Sequence, residues 1–338
     1  MTARPGPHNL ITDVPGLRVG NAEDAAAFTG VTVIVPGSRA VAAVDVRGGA
    51  PGTRETDALA PENLVDAVDA VVLAGGSVYG LDAAGAVVAQ LGAEGRGFRL
   101  ANSSLVAPVV PSAILFDLAN GGDKAWGAEP PYRRLGRAAL AAAADRFALG
   151  NAGAGLGAKA GAYKGGLGSA SIITDDGLIV GALVAANPFG SPVMPGTTTL
   201  WAWPFELDGE LGHQAPPTDY RAAPDWPSDT KNPTLGRTNT TIGVVATNAA
   251  LTPAEAKRVA IMAQDGYARA CRPIHTATDG DVIFALAMGS WDAPETPRPL
   301  LVSRIGMLAA DCAARALARG VYEAKTVGGI PAYRDLKP

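Results

Sequence analysis

The sequence predicts an α/β fold whose strands and helices pack closely in layers. Of its 338 residues, 42 are glycine, 48% are hydrophobic and only 6% are aromatic. Small residues let backbones approach one another, so this composition favours stacked layers over a core of bulky rings. A pattern of strand, glycine turn and helix also recurs along the chain. A chain of this size and hydrophobicity can bury one large core or two smaller ones.

The N-terminal part of the chain carries three strand patterns and one helix pattern. Val31–Val35 and Val41–Val46 are β-forming runs, and the Pro-Gly-Ser turn between them predicts a hairpin. A buried strand is predicted at Ala70–Ala74. Two glycines then lead into a helix at Tyr79–Leu91, because alanine and valine recur there at the spacing of a packed helix.

Six further segments have helix or strand patterns. They are a helix at Arg134–Leu149, a hairpin around Asp175–Gly177, a strand at Thr240–Thr247, a helix from Pro253 to about Ala270, a strand at Val282–Met288 and a helix at Leu300–Ala318. Thr252 and Glu255 form a capping box with proline at the first helical position, which marks the start of the helix that follows.

The segment from Phe205 to Asn239 has neither helical nor alternating periodicity, and prolines, charges and polar residues dominate it. A structureless segment of this length is uncommon inside a compact domain and is usually functional or disordered. We therefore predict a mobile loop at 205–239. A buried strand pattern follows it directly at Thr240.

Composition excludes several classes of partner. The net charge of -4 comes without a run of Lys or Arg, so we predict no nucleic-acid partner. The longest apolar run, Leu178–Ala186, is too short to span a bilayer, and Met1–Asp13 lacks the apolar region of an export signal. Cys271 and Cys312 lie in Ala-rich helical patterns typical of reduced core thiols. These features predict a cytoplasmic protein with no membrane association.

Familiar catalytic templates also fail. Gly153–Ala158 matches a relaxed dinucleotide fingerprint, but it follows a helix where that fingerprint requires a strand. In Gly75–Gly80 the second glycine comes one residue too late for a nucleophile elbow. His8, His213 and His275 show no ligand spacing, which argues against both a zinc site and a Ser-His-Asp triad. We predict neither a cofactor nor a metal ion.

Thr240 has a position suited to self-cleavage, at the junction of the polar loop and the buried strand. Its hydroxyl could attack the carbonyl of Asn239, shift the acyl group to oxygen and release it to water. The new α-amine, with a pKa of about 7.7 to 8.0, could then act as general base without a histidine. The residue pattern alone favours a simpler interpretation, in which Thr240 and Thr241 are β-formers that begin a strand.

Polar residues elsewhere could complete such a site. Asp279 and Asp281, two apart in extended geometry, point to one face and could hold the amine and hydroxyl of that threonine. Alternatively, they form a tight turn with solvated carboxylates. Asn187 could donate to an oxyanion, although Asn-Pro also opens turns. Lys164 could place a cation nearby, with Lys159 as a competitor, although lysines are more often solvated.

Five motifs in a specific order resemble the DmpA aminopeptidase family. They are Asp45–Asp57, Gly75–Gly80, Lys164–Gly168, Asn239–Gly243 and Asp279–Asp281. The resemblance covers nearly the whole chain. The family includes L-aminopeptidase/D-esterases, β-peptidyl aminopeptidases and nylon-oligomer hydrolases of the NylC type, all of which cleave themselves.

The resemblance implies a single four-layer αββα domain, 1–338, cleaved into an α chain, 1–239, and a β chain, 240–338. These chains are expected to stay associated and to form a tetramer of heterodimers. The implied activity is hydrolysis of small peptides or amino-acid amides, with 6-aminohexanoate oligomers among the candidate substrates.

The resemblance also implies residue roles. Thr240 matches the nucleophile, Asn239 precedes the cut, Asn187 matches the asparagine near the oxyanion, and Asp279 and Asp281 match the paired acids. Their Asp-Gly-Asp pattern is similar to that of the nylon-oligomer hydrolases, whereas β-peptidyl enzymes tend to have a serine and an acid.

Two departures from the nylon-type pattern affect the predicted pocket. Phe116 stands where those enzymes have a tyrosine, and the region of Lys159 and Lys164 is shorter than its counterpart. Lys164 is the lysine we assign to the site. Phe116 and Tyr79 are the candidate substrate-pocket residues.

Two other functions are compatible with the sequence. An ornithine acetyltransferase-like acyl transferase resembles this family in fold and also self-cleaves before a threonine, but that family's surrounding threonine motif is absent here. A non-enzymatic cytoplasmic binding protein could use the 205–239 loop as an arm for a partner. This last alternative predicts an intact chain.

Overall fold

The computed structural model describes residues 3–99, 101–222, 224–231 and 239–336. The ends of the predicted domain, 1–2 and 337–338, and residues 223 and 232–238 of the predicted loop lie outside the described residues. The described residues contain four α-helices, α1 Asp82–Ala93, α2 Tyr132–Ala141, α3 Pro253–Ala270 and α4 Arg298–Tyr322.

Sixteen strands are present in the described residues. They are β1 Ala3–Arg4, β2 Leu17–Asp24, β3 Thr29–Pro36, β4 Ala40–Val46, β5 Thr53–Arg54, β6 Ala67–Val68, β7 Val71–Ala74, β8 Phe98–Arg99, β9 Val106–Ala107, β10 Ser112–Ile114, β11 Lys159–Ala160, β12 Tyr163–Lys164, β13 Gly166–Thr174, β14 Ile179–Asn187, β15 Thr240–Thr247 and β16 Val282–Ala287.

Two mixed sheets form the body of the molecule. The seven-stranded sheet has the order β1-β13-β14-β15-β16-β4-β6, so β15 is its central strand. That strand runs antiparallel to β14 and parallel to β16. The five-stranded sheet has the order β2-β3-β7-β10-β5. The predicted α/β class is therefore confirmed.

The side chains of the central strands alternate between two apolar clusters, as period-two strand geometry requires. In β16, Ile283 and Ala285 pack into a cluster shared with α3 and α4, whereas Phe284 and Leu286 pack into a cluster shared with the five-stranded sheet. The far side of the five-stranded sheet is covered by α1 and α2. Both faces of each sheet are thus buried.

Glycines allow the close approach that the composition predicts. A Cβ on Gly168 would lie 1.9 Å from the carbonyl oxygen of Ala316 in α4. A Cβ on Gly266 would lie 2.1 Å from the carbonyl oxygen of Ala310, where α3 crosses α4. Helix α4 therefore packs against both neighbours at a separation that no side chain at these two positions would permit.

Two predicted strands, one predicted helix and one predicted hairpin are confirmed. The strand at Thr240–Thr247 and the helix at Pro253–Ala270 have the predicted bounds, and the Thr252 capping box is present. The strand from Val282 ends one residue earlier than predicted, at Ala287. The hairpin around Asp175–Gly177 joins β13 to β14.

Two predictions were wrong. The runs Val31–Val35 and Val41–Val46 are not a hairpin, because β3 pairs with β2 and β7 while β4 pairs with β16 and β6 of the other sheet. The turn between them carries the chain from one sheet to the next. The helix predicted to reach Leu149 ends at Ala141, where the chain turns so that Ala144 pairs with Val19 of β2.

The described part of the predicted loop comprises 205–222, 224–231 and Asn239. It contains neither α-helix nor strand, although Phe205 ends a short 3-10 helix, Trp203–Phe205, and Asn239 forms an isolated bridge with Asp279. It is nevertheless anchored to the body. The carboxylate of Glu210 pairs with the fully buried guanidinium of Arg315 in α4. Glu206 accepts hydrogen bonds from the backbone N–H groups of Leu211 and His213 at 2.8 and 2.9 Å. The mobility of 205–239 stays a prediction.

Within the described residues, no helix combines the length and hydrophobicity needed to cross a membrane. The same residues contain no group of three or more His, Cys, Asp or Glu side chains that could hold a metal ion.

Candidate active site

The ends of three adjacent strands bring most of the predicted site residues together. Thr240 is the first residue of β15, and Asn187, the last residue of β14, lies directly opposite it. Asp281 immediately precedes β16 on the other side of β15. Asn239 pairs with Asp279 in an isolated parallel bridge. These residues therefore meet at one end of the seven-stranded sheet.

Two donors converge on the carbonyl oxygen of Asn239. The hydroxyl of Thr240 donates to it, and the backbone N–H of Gly280 donates to it at 3.1 Å. Both Asn239 and Thr240 are buried. A Cβ on Gly280 would lie 2.8 Å from Oγ1 of Thr240 and 2.7 Å from the carbonyl oxygen of Ala50. The glycine between the two aspartates thus permits close contact with the Asn239–Thr240 peptide.

Asp279 is held by donors from two segments. Its Oδ1 accepts from the N–H of Phe189 at 3.1 Å, and its Oδ2 accepts from the N–H and hydroxyl of Thr276 at 2.9 and 2.6 Å. Burial and the neighbouring Asp281 raise the pKa of this carboxyl. Because both aspartates are fully buried, the alternative of a turn with solvated carboxylates is wrong.

Asp281 contacts the residue after Thr240 and a histidine. Its Oδ1 accepts from the N–H of Thr241 at 2.6 Å. Its Oδ2 accepts from the N–H of His275 at 3.1 Å and lies 2.8 Å from Nδ1 of the same residue. The sequence did not predict a role for His275, because the histidines were tested only as zinc ligands and as members of a Ser-His-Asp triad.

Both the oxygen and the nitrogen of the Asn187 side-chain amide form hydrogen bonds. Its Oδ1 accepts from the backbone N–H of Lys159 and from Nζ of Lys231, each at 2.9 Å. Its Nδ2 donates to the backbone carbonyl of Phe116 at 3.1 Å. Lys231, which sequence reasoning also missed, therefore contacts the asparagine that lies opposite Thr240.

Lys231 is buried at the edge of the site. Its Nζ also donates to the carbonyl oxygen of Asn187 at 2.9 Å. Burial lowers the pKa of this amine to about 7, and the nearby Asp279 partly opposes that shift. No motif marked Lys231, because it lies in the polar segment that the sequence pattern left without structure.

Lys164 has a different environment. Its buried Nζ donates to the backbone carbonyls of Gly155, Ala158 and Gly165 at 2.8, 2.9 and 2.7 Å. Burial lowers the pKa of this amine to about 7. These contacts tie the glycine-rich segment together and include none of the other predicted site residues, so they give no support to a catalytic Lys164.

A cavity of about 570 Å³ adjoins the site, with Phe189, Trp226, Arg272, Thr276 and Thr278 among its lining residues. Neither of the candidate pocket residues lines it. Phe116 is half-buried, and its backbone carbonyl accepts a hydrogen bond from Nδ2 of Asn187. Tyr79 is 46% exposed and packs edge-to-face on Trp126 at 5.7 Å between ring centroids.

The sequence matches peptidase family S58 over residues 9–333. It is also 46% identical over 346 residues to an uncharacterized aminopeptidase of Mycobacterium tuberculosis, with 98% of each chain covered. The chain belongs to peptidase family S58. The predicted resemblance to the DmpA family is thereby confirmed. Membership makes this S58 protein an amide hydrolase and implies autoprocessing.

The S58 protein has more distant relatives of known name. It is 33% identical over 300 residues to the 6-aminohexanoate-oligomer endohydrolase of an Agromyces species, covering 86% of this chain and 78% of that one. Its structure is similar to the L-aminopeptidase D-Ala-esterase/amidase of Ochrobactrum anthropi, described as a variant of the Ntn hydrolase fold. The TM-score is 0.72 at 24% identity, with 98% of this chain and 90% of that chain covered.

A Burkholderia β-aminopeptidase gives a TM-score of 0.70 at 24% identity, with 98% of this chain and 92% of that chain covered. At these identities the structural likenesses show the fold alone. The S58 protein thus has the Ntn-hydrolase-type fold of the DmpA aminopeptidase.

Proposed function

We propose that the chain is a self-cleaving amide hydrolase in which Thr240 cuts the Asn239–Thr240 bond and then serves as the catalytic nucleophile. One observation carries this proposal: the Thr240 hydroxyl and the Gly280 N–H converge on the buried carbonyl of Asn239. An ordinary threonine at the start of a strand has no need of this arrangement.

In the first reaction, Oγ1 of Thr240 attacks the carbonyl carbon of Asn239. The carbonyl oxygen becomes an oxyanion, which the Gly280 N–H stabilises because that donor is already in place. The C–N bond then breaks, the proton of the attacking hydroxyl passes to the departing nitrogen, and an ester remains between the two residues. Water hydrolyses the ester, so that Asn239 ends in a carboxylate and Thr240 begins with a free α-amine.

In the mature enzyme, the same hydroxyl attacks the amide carbonyl of a substrate. The α-amine of Thr240 takes the hydroxyl proton, since its pKa of about 7.7 to 8.0 leaves much of it neutral at working pH. It passes that proton to the departing amine as the C–N bond breaks, and water then hydrolyses the ester to release the acid and the free hydroxyl. Gly280 supplies one oxyanion donor and the side-chain amide of Asn187 supplies another. Asp279 and Asp281 hold the α-amine and the first peptide of the β chain, as the bond from Thr241 to Asp281 supports.

We assign Lys231 as the lysine that supports this site. Its ammonium fixes both oxygens of Asn187, so it acts through that asparagine and is a positioning residue. Catalytic participation by Lys164 is the weaker proposal, because its ammonium is already bound to three backbone carbonyls.

We further propose that the elements stack in a four-layer αββα order and that the two products of cleavage stay associated. The new chain end begins β15, which is buried along its whole length between β14 of one product and β16 of the other. Separation would break the pairing of β15 with β14 and that of β16 with β4, because β14 and β4 both belong to the α chain. Four such heterodimers are expected to form the mature assembly.

The proposed substrates are small peptides and amino-acid amides. The aminopeptidase and 6-aminohexanoate-oligomer endohydrolase names of the relatives support this class, since both describe amide hydrolysis. Release of free acid without an amine acceptor would separate this activity from acyl transfer.

Intact mass spectrometry and N-terminal sequencing of the purified protein test the proposal. We expect two fragments, the smaller beginning Thr-Thr-Ile-Gly, and an uncut chain for Thr240→Val. The matched control is Thr241→Val, because the neighbouring hydroxyl is buried without a hydrogen-bond partner among the described residues. A single full-length wild-type chain would overturn the mechanism.

A further inference from the structure

The cavity beside the site has a largely apolar and aromatic wall. Its volume is about 570 Å³, which is within the range of roughly 300–1,000 Å³ typical of ligand pockets. Phe189 and Trp226 form an edge-to-face pair in this wall, with ring centroids 5.0 Å apart. Among the described residues that line the cavity, the formal charges of Asp225 and Arg272 cancel. The cavity therefore suits an apolar group.

Two residues of the same wall form hydrogen bonds with Asp279 and Asn239 of the site. Thr276 donates its hydroxyl to Asp279 at 2.6 Å. The hydroxyl of Thr278 accepts from Nδ2 of Asn239 at 3.2 Å. The side chain of the residue that supplies the acyl carbonyl in self-cleavage thus reaches the cavity wall.

A substrate must place its carbonyl where the carbonyl of Asn239 lies before the cut. Its acyl-side substituent then follows the path of the Asn239 side chain, toward Thr278 and the cavity. We propose that this cavity is the acyl-side specificity pocket and that it selects substrates whose acyl portion carries an aromatic or long aliphatic group. This inference rests on the proposed function of Thr240.

Hydrogen bonds within the α chain hold the segment that carries Trp226 against the body of the protein. Asp229 accepts a hydrogen bond from the Ser191 hydroxyl through its carboxylate, and its backbone carbonyl accepts from the N–H of Ala162 at 2.7 Å. The N–H of Lys231 donates to the carbonyl of Phe189 at 3.0 Å. These bonds lie between Trp226 and the cleavage site, so the tryptophan stays attached to the body after the chain is cut.

The test compares L-phenylalanine p-nitroanilide with L-alanine p-nitroanilide. We expect wild type to prefer the phenylalanine substrate, and Trp226→Ala to lower the ratio of the two kcat/KM values about tenfold or more, as loss of an apolar pocket wall does. The control is Phe98→Ala, which removes another exposed aromatic ring, on β8, outside the cavity.

Self-cleavage of each variant is measured first by mass spectrometry, and Trp226→Leu replaces Trp226→Ala if the latter is not processed. An unchanged ratio in the tryptophan variants, or a wild type that prefers alanine, would overturn the pocket while leaving the mechanism intact. An uncut wild type that hydrolyses neither substrate would overturn the proposed function and the pocket with it.

Discussion

The imidazole Nδ1 of His275 lies 2.8 Å from Oδ2 of Asp281, and the backbone N–H of His275 donates to the same oxygen at 3.1 Å. The other oxygen of that carboxylate accepts from the N–H of Thr241. The histidine therefore fixes the rotation of a carboxylate that binds the strand carrying the proposed nucleophile. It touches neither Thr240 nor Asn239 in any hydrogen bond described, so its effect is one of positioning.

We predict that His275→Ala lowers kcat by about 10- to 100-fold, because a hydrogen bond to a charged group contributes about 1.5–3 kcal/mol. KM is expected to change little, since the histidine does not line the cavity. His275→Asn should retain more activity, because asparagine tolerates the positive φ of 56° and can still donate to Asp281.

His213→Ala is the matched control for this prediction. His213 also has a positive φ, of 52°, but it is exposed and lies outside the site, so the two variants share the same backbone strain. Steady-state kinetics on a small amino-acid anilide would give kcat and KM for wild type and for both variants. Equal losses in the two alanine variants would show that strain, rather than the contact with Asp281, causes the effect.

His275 shows which features of the fold and the site can be predicted from the sequence alone and which cannot. Thr240–Thr247, the helix from Pro253 and the strand from Val282 are predictable because local periodicity and capping determine them. Asp279, Asp281 and Asn187 are found through the family resemblance and then brought together by strand pairing. His275 and Lys231 are not predictable in this way, because their partners depend on how loops fold back over the strand ends.

The false hairpin has a similar cause. A turn between two β-forming runs looks the same whether the strands pair or separate into facing sheets, and β3 is buried along its whole length. Only the partners of β3 and β4, which come from β7 and β16 far along the chain, decide between these outcomes.

We predict that Lys164→Met destabilises the protein by about 1.5–4.5 kcal/mol, since it removes three buried hydrogen bonds worth about 0.5–1.5 kcal/mol each. The carbonyls of Gly155 and Ala158 keep the N–H groups of Ala158 and Gly165 as donors, at 3.2 and 3.1 Å. Urea denaturation gives the free energy of unfolding. The fraction that remains folded should still cleave itself, because none of the hydrogen bonds of Nζ that the substitution removes goes to Thr240, Asn187 or either aspartate. Loss of self-cleavage at unchanged stability would instead support Lys164 as a catalytic residue.

The pH dependence of that stability is a separate prediction. Burial lowers the pKa of Lys164 to about 7 in the folded state, whereas an unfolded lysine titrates near about 10.4. Above pH 7 the unfolded chain therefore binds more protons at Lys164 than the folded protein does. The contribution of Lys164 to the free energy of unfolding rises with pH as a result, by up to about 1.4 kcal/mol per pH unit.

Wild type and the Lys164→Met variant should be compared between about pH 7 and 8.5. Unfolded cysteines begin to ionise in this range, but both proteins carry the same two buried cysteines, so this effect cancels in the difference. The stability difference between them should widen as pH rises. If Lys164→Met is too unstable to measure, Lys164→Gln serves in its place, because it also lacks the titrating amine. A difference that is constant or narrows with pH would contradict the lowered pKa.

Lys231→Met is predicted to slow both self-cleavage and substrate hydrolysis by about 10- to 100-fold, because two buried hydrogen bonds to Asn187, worth about 0.5–1.5 kcal/mol each, are lost. Its matched control is Lys164→Met, which also removes a buried ammonium bound to backbone carbonyls. Pulse-labelled processing rates and kcat would be measured for both. A Lys231→Met protein that processes at the wild-type rate would remove this lysine from the site.

The last prediction concerns the donor to the scissile carbonyl. Gly280→Ala places a Cβ 2.8 Å from Oγ1 of Thr240 and 2.7 Å from the carbonyl of Ala50, so the chain must shift and move both donors away from the Asn239 carbonyl. Loss of one oxyanion donor typically costs about 10²–10³ in rate, and we expect self-cleavage to slow by at least that factor.

The control for Gly280→Ala is Gly37→Ala, whose added Cβ would meet only the carbonyl of Gly16 at 3.4 Å. Mass spectrometry over time gives the processing rate, and circular dichroism reports whether each variant is folded. A folded Gly280→Ala protein that is cut as fast as wild type would show that the Gly280 N–H does not stabilise the oxyanion. Attack by Thr240 would then depend on Asn187 as its donor, which makes Asn187→Ala the variant that separates the two contributions.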